Sequence, residues 1–234
     1  MPSVPRNLII DDQSIFHVTW QCHNKDWLLK EGWAKKIYYN LLLKFKDRYH
    51  IKIYSYCFMS NHPHLTGYCE TQQQLSDFFR IVNSLFARLV NKRLNRRGQV
   101  VMDRFKSPKI ESEADLERVM LYVDLNPNRA RMVVHPKDYK WSSFAYYAYG
   151  EEDILITPSP TYFKMGVTAT QRQSVYLSMI EEILRNDWCE KKPFSSTYFV
   201  GDPDWVKRKY QKLKEIKKEK IQKWRKRFKE KFLK

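Results

Sequence analysis

None of the four cysteines, Cys22, Cys57, Cys69 and Cys189, stands in a Cys-x-x-Cys pair, which argues against a zinc knuckle. Cys57 and Cys69 fall in or near strand-like runs and read as small core residues. Reduced thiols in a cytosolic protein are the default expectation. No apolar run approaches the length of a membrane span, and residues 1–7 are polar and broken by proline, which gives no sign of a secretory signal. There is no P-loop pattern and no internal repeat. Acidic residues are the minority: 26 Asp and Glu face 43 Lys and Arg, a formal net charge of +17. A basic excess of this size calls for a polyanionic partner, nucleic acid first and an anionic membrane as the competing reading. The chain is not short of apolar material. Its 234 residues are 43% hydrophobic and 15% aromatic, which argues against global disorder and allows one sizeable domain with an appendage.

Residues 14–23 are apolar and β-branched with partial alternation, and predict a strand. Residues 33–49 carry Ile37, Leu41 and Phe45 at helical spacing. Residues 51–58 predict a second strand, Ser60-Asn61 a break, and 62–69 a third strand. Residues 72–95 predict a long helix whose stripe is Leu75, Phe78, Phe79, Val82, Leu85, Phe86 and Leu89. After the break at Arg97-Gly98, residues 100–110 predict a fourth strand, disturbed near its end by Pro108. Ser112 is an N-cap, with Asp115 at the capping-box position. The helix it opens is expected to run to Asn126 and stop at Pro127. The order β-α-β-β-α-β-α is that of an α+β fold: an antiparallel sheet in a split βαβ arrangement of the ferredoxin or RRM kind, with helices on one or both faces.

Composition changes after Gly150. Residues 157–160 form a loop. Residues 168–186 predict a helix with Val175, Met179, Ile183 and Leu184 inward. Residues 191–204 predict a loop, after which Asp204 caps a basic helix. From Trp205 to Lys234 there are fifteen Lys or Arg and three Glu, so this segment carries +12 of the net charge. It reads first as a DNA arm, with a coiled-coil partner or a membrane-surface helix as the other readings. The expected domains are residues 1–150 as core, 151–190 as a helical extension packing on it, and 191–234 as linker and basic helix.

The chemistry is concentrated in two pieces of chain about 60 residues apart. Cys57-Phe58-Met59-Ser60-Asn61-His62-Pro63-His64-Leu65 sets His62 and His64 two apart on a strand, where side chains share a face and two imidazoles can reach one ion. Leu121-Tyr122-Val123-Asp124-Leu125-Asn126-Pro127-Asn128-Arg129-Ala130 sets Tyr122 and Asn126 one helical turn apart. Histidines, a carboxamide and a tyrosine together can make a metal-assisted tyrosine nucleophile. Each piece has a blander reading: surface histidines on a strand, a core tyrosine, a C-cap at Asn126. His17, His23, His50 and His135 have no comparable partner in the sequence and read as structural or surface residues.

These residues resemble a known family. His62-Pro63-His64 is similar to the paired-histidine motif of the HUH single-strand DNA nucleases. The run from Tyr122 to Ala130 resembles the catalytic helix of the REP-associated tyrosine transposases, an IS200-like branch of that superfamily. Asp103-Arg104-Phe105-Lys106-Ser107 and Tyr139-Lys140-Trp141-Ser142-Ser143 also resemble its motifs. The likeness covers roughly residues 10–185. It departs at Pro63, where a larger hydrophobe is usual, and at Ser60, where proline is frequent.

The resemblance implies an HUH nuclease core with a C-terminal helical extension. It implies a transposase that is a site-specific single-strand DNA endonuclease and strand transferase, acting near REP-type hairpins through a 5′-phosphotyrosine intermediate. Tyr122 would be the nucleophile, and His62, His64 and Asn126 the metal ligands. Imidazole and oxygen donors together suit Mg²⁺ or Mn²⁺, the histidines favouring Mn²⁺. The expected DNA contacts are Arg104, Lys106, Arg129 and Arg131; Arg80, Arg88, Lys92, Arg96 and Arg97, for which a solvated helix face is the equal alternative; and Lys207, Arg208, Lys223, Arg225 and Arg227. The partner is single-stranded or hairpin DNA rather than a membrane, the setting cytoplasmic and nucleoid-associated. A monomer is favoured over a homodimer. A binding protein that recognises DNA or RNA hairpins without cutting is the alternative.

Overall fold

A computed structural model describes residues 4–186 and 194–232. Cys189 and the start of the expected loop at 191–204 lie outside the described residues. Five strands form one sheet: β1 (Ser14–Thr19), β2 (Ile51–Phe58), β3 (Pro63–Cys69), β4 (Lys109–Ile110) and β5 (Phe199–Val200), in the order β2-β3-β1-β4-β5. All neighbours are antiparallel except β4 and β5, which run parallel. Helices α1 (Gly32–Lys46) and α2 (Gln72–Arg93) connect β1 to β2 and β3 to β4, and α3 (Glu113–Arg129) follows β4. This is the α+β split βαβ arrangement expected.

Alternation along β1 divides the interior into two layers. Phe16 and Trp20 point to α2, where their rings meet Phe79 and Phe86. His17 points to the other face, where its ring meets Tyr122 of α3. Both faces are covered, so β1 is buried almost throughout instead of alternating buried and exposed. Gly67 of β3 is required by crowding, because a Cβ there would overlap the Lys52 carbonyl and the Phe16 ring.

Four boundaries differ from the sequence reading. The expected fourth strand, 100–110, is regular only at Lys109–Ile110. Upstream, the chain touches its neighbours at isolated bridges, Cys22 to Val101 and Thr19 to Lys106. Pro108, with no N–H, still accepts from His17 N through its carbonyl. Second, α3 does not stop at Pro127 but runs on to Arg129. Proline near a helix end costs one backbone hydrogen bond, here the one to the Val123 carbonyl. The Asn126 carboxamide Nδ2 donates to that carbonyl at 3.3 Å and to the Tyr122 carbonyl at 3.0 Å. Third, α6 (Ala169–Arg185), which follows the short helices α4 (Phe144–Tyr149) and α5 (Pro160–Lys164), buries Tyr176 and Ile180, whereas Val175 is exposed. Met179, Ile183 and Leu184 pack against the core as expected, so only Val175 departs, with Tyr176 and Ile180 forming the centre of the buried face. Fourth, Asp202 and not Asp204 caps α7 (Pro203–Phe232), accepting from the amides of Asp204 and Trp205.

The first part of α7 packs on the body through Trp205, Val206, Tyr210 and the buried Leu213, while Ile221, Trp224 and Phe228 are exposed. Among the described residues no helix is long and apolar enough to cross a membrane.

Candidate active site

The β2–β3 hairpin turns through Met59-Ser60-Asn61-His62, closed by Met59 N donating to the His62 carbonyl at 2.9 Å. His62 therefore ends the turn and His64 is the second residue of β3. Their ring centroids are 4.8 Å apart. Tyr139-Lys140-Trp141-Ser142-Ser143 is strapped along this end of β2. Phe58 N donates to the Trp141 carbonyl, Ser143 N to the Tyr56 carbonyl, and the Tyr139 hydroxyl to the Phe58 carbonyl at 2.7 Å. This stretch serves the hairpin's position.

Helix α3 crosses the same face of the sheet and is buried all round from Val119 to Pro127. Its register is fixed on the far side by Asp124, whose carboxylate accepts from the Ser143 hydroxyl and the Tyr176 hydroxyl, both at 2.7 Å. Burial pushes Asp124 up to about 7, against those two hydrogen bonds. On the near side the Tyr122 ring lies 5.8 Å from His64 and 6.3 Å from His17. The structure thus brings His62, His64 and Tyr122 together from two distant pieces of chain. Tyr122 is enclosed, being only 5% exposed. Phe194 covers its ring at 4.9 Å, and the Arg129 guanidinium lies 4.5 Å above it.

The two imidazoles are electrically neutral. Burial lowers His62 to about 4 and takes His64 well below the usual imidazole range, with further lowering at His64 from His62, His17 and Arg129. His62 donates Nδ1–H to Asn61 Oδ1 at 2.6 Å, so its Nε2 is the nitrogen with a lone pair to give. His64 Nδ1 is engaged by His17 Nε2 at 3.0 Å. The sequence reading gave His17 no such partner. It is fully buried and stands beside the pair. Among the described residues no group of three or more His, Cys, Asp or Glu is arranged to hold a metal ion. A metal site here therefore needs a third donor of another kind. Asn126, one turn from Tyr122 on α3, is the remaining candidate: its nitrogen donates to helix carbonyls, so Oδ1 is the atom it would offer an ion. Imidazole nitrogens with tied outer atoms and a carboxamide oxygen fit a hard-to-borderline divalent ion.

The basic residues divide by location. Lys106 bridges Thr19, and Thr19 pairs with His64, so Lys106 lies in one row with His64, two strands away. Arg104 and Lys106 line a cleft of about 400 Å³ with Arg6, Ser107, Thr197 and Tyr198. Arg6, unremarked in the sequence, is buried there, stacked 3.5 Å over Phe105 and bonded to Ser107 Oγ and the Phe105 carbonyl. Arg131 is exposed past the end of α3. Arg80, Arg88 and Lys92 belong to α2, on the opposite side of the sheet from Tyr122, and Arg80 is paired with Asp77 at 3.0 Å. Arg96 and Arg97 follow that helix, Arg96 donating to the Gln99 carbonyl. Lys207, Arg208, Lys223, Arg225 and Arg227 are exposed on α7. The α2 group is not brought to the candidate site.

The family model "Transposase IS200 like" matches residues 12–126, a span holding the paired histidines, Tyr122 and Asn126. No curated protein is detectably similar to the chain. A solved structure, that of a REP-associated tyrosine transposase bound to a REP hairpin, shares the fold at 17% identity and a TM-score of 0.53, over 68% of this chain and 93% of that one. The matched segment spans β1 to the tyrosine helix, so over about half its length the chain is similar to the IS200-like transposases, and its α+β fold is that of the REP-associated tyrosine transposase structure.

Proposed function

We propose that the protein is a metal-dependent, site-specific single-strand DNA endonuclease and strand transferase that cuts near hairpin-forming DNA of the REP type. The observation that carries this reading is the approach of the buried His64 ring to Tyr122, with the half-buried His62 ring beside His64, from chain segments about 60 residues apart. A divalent ion, Mg²⁺ or Mn²⁺, held by His62, His64 and Asn126, would supply electrophilic polarisation of a phosphate oxygen. In the proposed step the Tyr122 oxygen forms a bond to phosphorus as its proton leaves. The P–O3′ bond breaks, and the 3′ oxygen departs with a proton as a free hydroxyl. The resulting 5′-phosphotyrosine keeps the phosphodiester energy, so the reversal onto another 3′-OH needs no nucleotide triphosphate. Arg129, over the Tyr122 ring, is placed to offset the charge of an incoming phosphate.

Arg104 and Lys106, in line with His64 across the sheet, are the proposed contacts of the strand backbone, with Arg131 beyond α3. The basic residues of α2 and α7 would hold duplex or flanking DNA away from the reacting phosphate. In this reading residues 1–150 are the nuclease core, 151–190 a helical extension braced through Asp124, and 191–234 a linker with a basic helix. The protein would act in the cytoplasm at the nucleoid, as a monomer in preference to a homodimer. The cover that Phe194 gives Tyr122 favours one competing reading, a hairpin-binding protein that does not cut. For cleavage Phe194 must move aside. Cleavage of a single-stranded hairpin substrate with Mn²⁺, wild type beside Tyr122→Phe, tests the proposal: product from wild type alone supports it. Intact substrate with tight hairpin binding from both would favour the binder.

A further inference from the structure

β1 carries His17 on the same face as Tyr122, and the register pairs His17 with Thr66 and Thr19 with His64. His17 is therefore the diagonal neighbour of His64 on the adjacent strand, within side-chain reach. The two rings are within 9° of parallel, yet their centroids are 5.2 Å apart while Nε2 of His17 and Nδ1 of His64 are 3.0 Å apart. Rings lying face to face would not put two edge nitrogens nearer than the ring centres. They meet end to end in one plane, which is the direction of an imidazole lone pair and an imidazole N–H. The contact is a hydrogen bond and not a stack.

A hydrogen bond between two neutral imidazoles fixes two tautomers together. For His64 to offer Nε2 to an ion, its proton must sit on Nδ1, and His17 Nε2 must accept it. His17 then carries its own proton on Nδ1, a buried atom with no hydrogen-bond partner among the described residues. Among the described residues no other contact of this nitrogen explains a histidine enclosed at 0% exposure beside the candidate nucleophile. An apolar side chain would fill the space without burying an orphan polar atom, so the observed residue points to a use for its Nε2.

We propose that His17 is a positioning residue: it accepts the Nδ1–H of His64, fixes that ring's plane, and presents its Nε2 to the divalent ion. The inference rests on the metal-dependent reading proposed above. Partners of metal-binding histidines are commonly carboxylates or carbonyls. A neutral imidazole performs the same orientation without adding negative charge beside a phosphate. The site thereby keeps three uncharged ligands and one uncharged support.

The experiment measures Mn²⁺ affinity of the full chain without DNA, by electron paramagnetic resonance of free Mn²⁺, for wild type, His17→Ala and His17→Gln. The glutamine carboxamide puts an acceptor near the place of Nε2. The expected result is binding weakened roughly 10–100-fold in His17→Ala and restored to within a few-fold of wild type in His17→Gln. Long-range ¹H–¹⁵N spectra of the Mg²⁺-loaded wild type should show His64 protonated at Nδ1. Hairpin affinity in EDTA, unchanged in both variants, shows that the fold is intact. Equal Mn²⁺ affinity in wild type and His17→Ala overturns the inference while leaving the metal reading standing, as does a His17→Gln chain that binds hairpin normally but Mn²⁺ no better than the alanine variant. His64 protonated at Nε2 in the loaded protein overturns it as well. A wild-type chain that binds no Mn²⁺ overturns both the inference and the metal reading.

Discussion

In the proposed reading Asn126 has two separable duties, helix repair and metal ligation, and a double-mutant cycle with Pro127 divides them. Pro127 has no N–H for the Val123 carbonyl, which is buried with its residue at 0% exposure. Asn126 Nδ2 fills the vacancy at 3.3 Å and adds a bond to the Tyr122 carbonyl at 3.0 Å. Asn126→Ala leaves the Val123 carbonyl without that donor, which costs about 1–3 kcal/mol. In a chain of this size that lowers Tm by roughly 2–4 °C per kcal/mol. Pro127→Ala alone returns a backbone N–H to Val123 but loosens the unfolded chain, for a net change within about 1 kcal/mol. In the double variant the backbone N–H replaces the lost carboxamide, so its stability should exceed the sum of the single changes by about 1–2 kcal/mol. Urea unfolding of the four proteins in EDTA measures this. Metal-dependent cleavage, by contrast, should stay lost in the double variant, because alanine offers no oxygen to an ion. Additivity within about 0.5 kcal/mol would refute the helix-repair argument. Cleavage restored in the double variant would refute Asn126 as a ligand.

Further outcomes follow from the same geometry. Ending the chain after Ile216 removes ten Lys or Arg and two Glu from the exposed part of α7 while sparing Leu213 and the β5 contacts. It should weaken DNA binding and flatten the slope of log affinity against log salt, with cleavage chemistry intact at saturating DNA; an unchanged slope would show that the distal helix does not touch the backbone. Asp124 is held up at about 7 in the folded protein against roughly 3.9 unfolded. Its protonated form therefore contributes stability that is full below about pH 4 and lost as pH rises through about 7. Unfolding in EDTA should show wild type losing stability relative to Asp124→Asn across that window, and parallel curves would contradict it. Gly67→Ala forces a methyl into the Lys52 carbonyl and the Phe16 ring and should cost about 3 kcal/mol or more in urea unfolding; a loss below 1 kcal/mol would mean that β2 and β3 yield easily there.

Much of the frame was legible because periodicity carries it. β2, β3, α1 and α2 fall within a few residues of the alternation and stripes read from the sequence. The fourth strand was not, because only its last two residues keep regular pairing and the rest of its contacts are isolated bridges that leave no pattern. β5 is two residues long and its partner is remote, so nothing local marks it. The enclosure of Tyr122 was not legible, because a helical stripe implies one buried side, whereas α3 is enclosed by the sheet, α5, α6 and Phe194. His62, His64, Tyr122 and Asn126 were visible as spaced pairs, and the fold joins the two histidines to the tyrosine helix. His17 was not. A single histidine in an apolar strand carries no spacing signal, and its meaning depends on the register of β1 against β3. The usable hint was that β1 alternates between aromatic or aliphatic residues and polar ones while both sets are buried, a pattern that asks what the polar set is bonded to. Arg6 and Asp124 were missed for the same reason, since their partners lie tens of residues away.

The most direct test of the account is the chemical identity of the covalent link. The protein is incubated with Mn²⁺ and a single-stranded hairpin substrate, denatured, digested, and the DNA-bearing peptide sequenced by mass spectrometry. The account predicts a phosphodiester on the Tyr122 side chain joined to a 5′ end, formed only with divalent metal and absent from Tyr122→Phe. An adduct on another residue, or cleavage that proceeds undiminished in Tyr122→Phe, would contradict it.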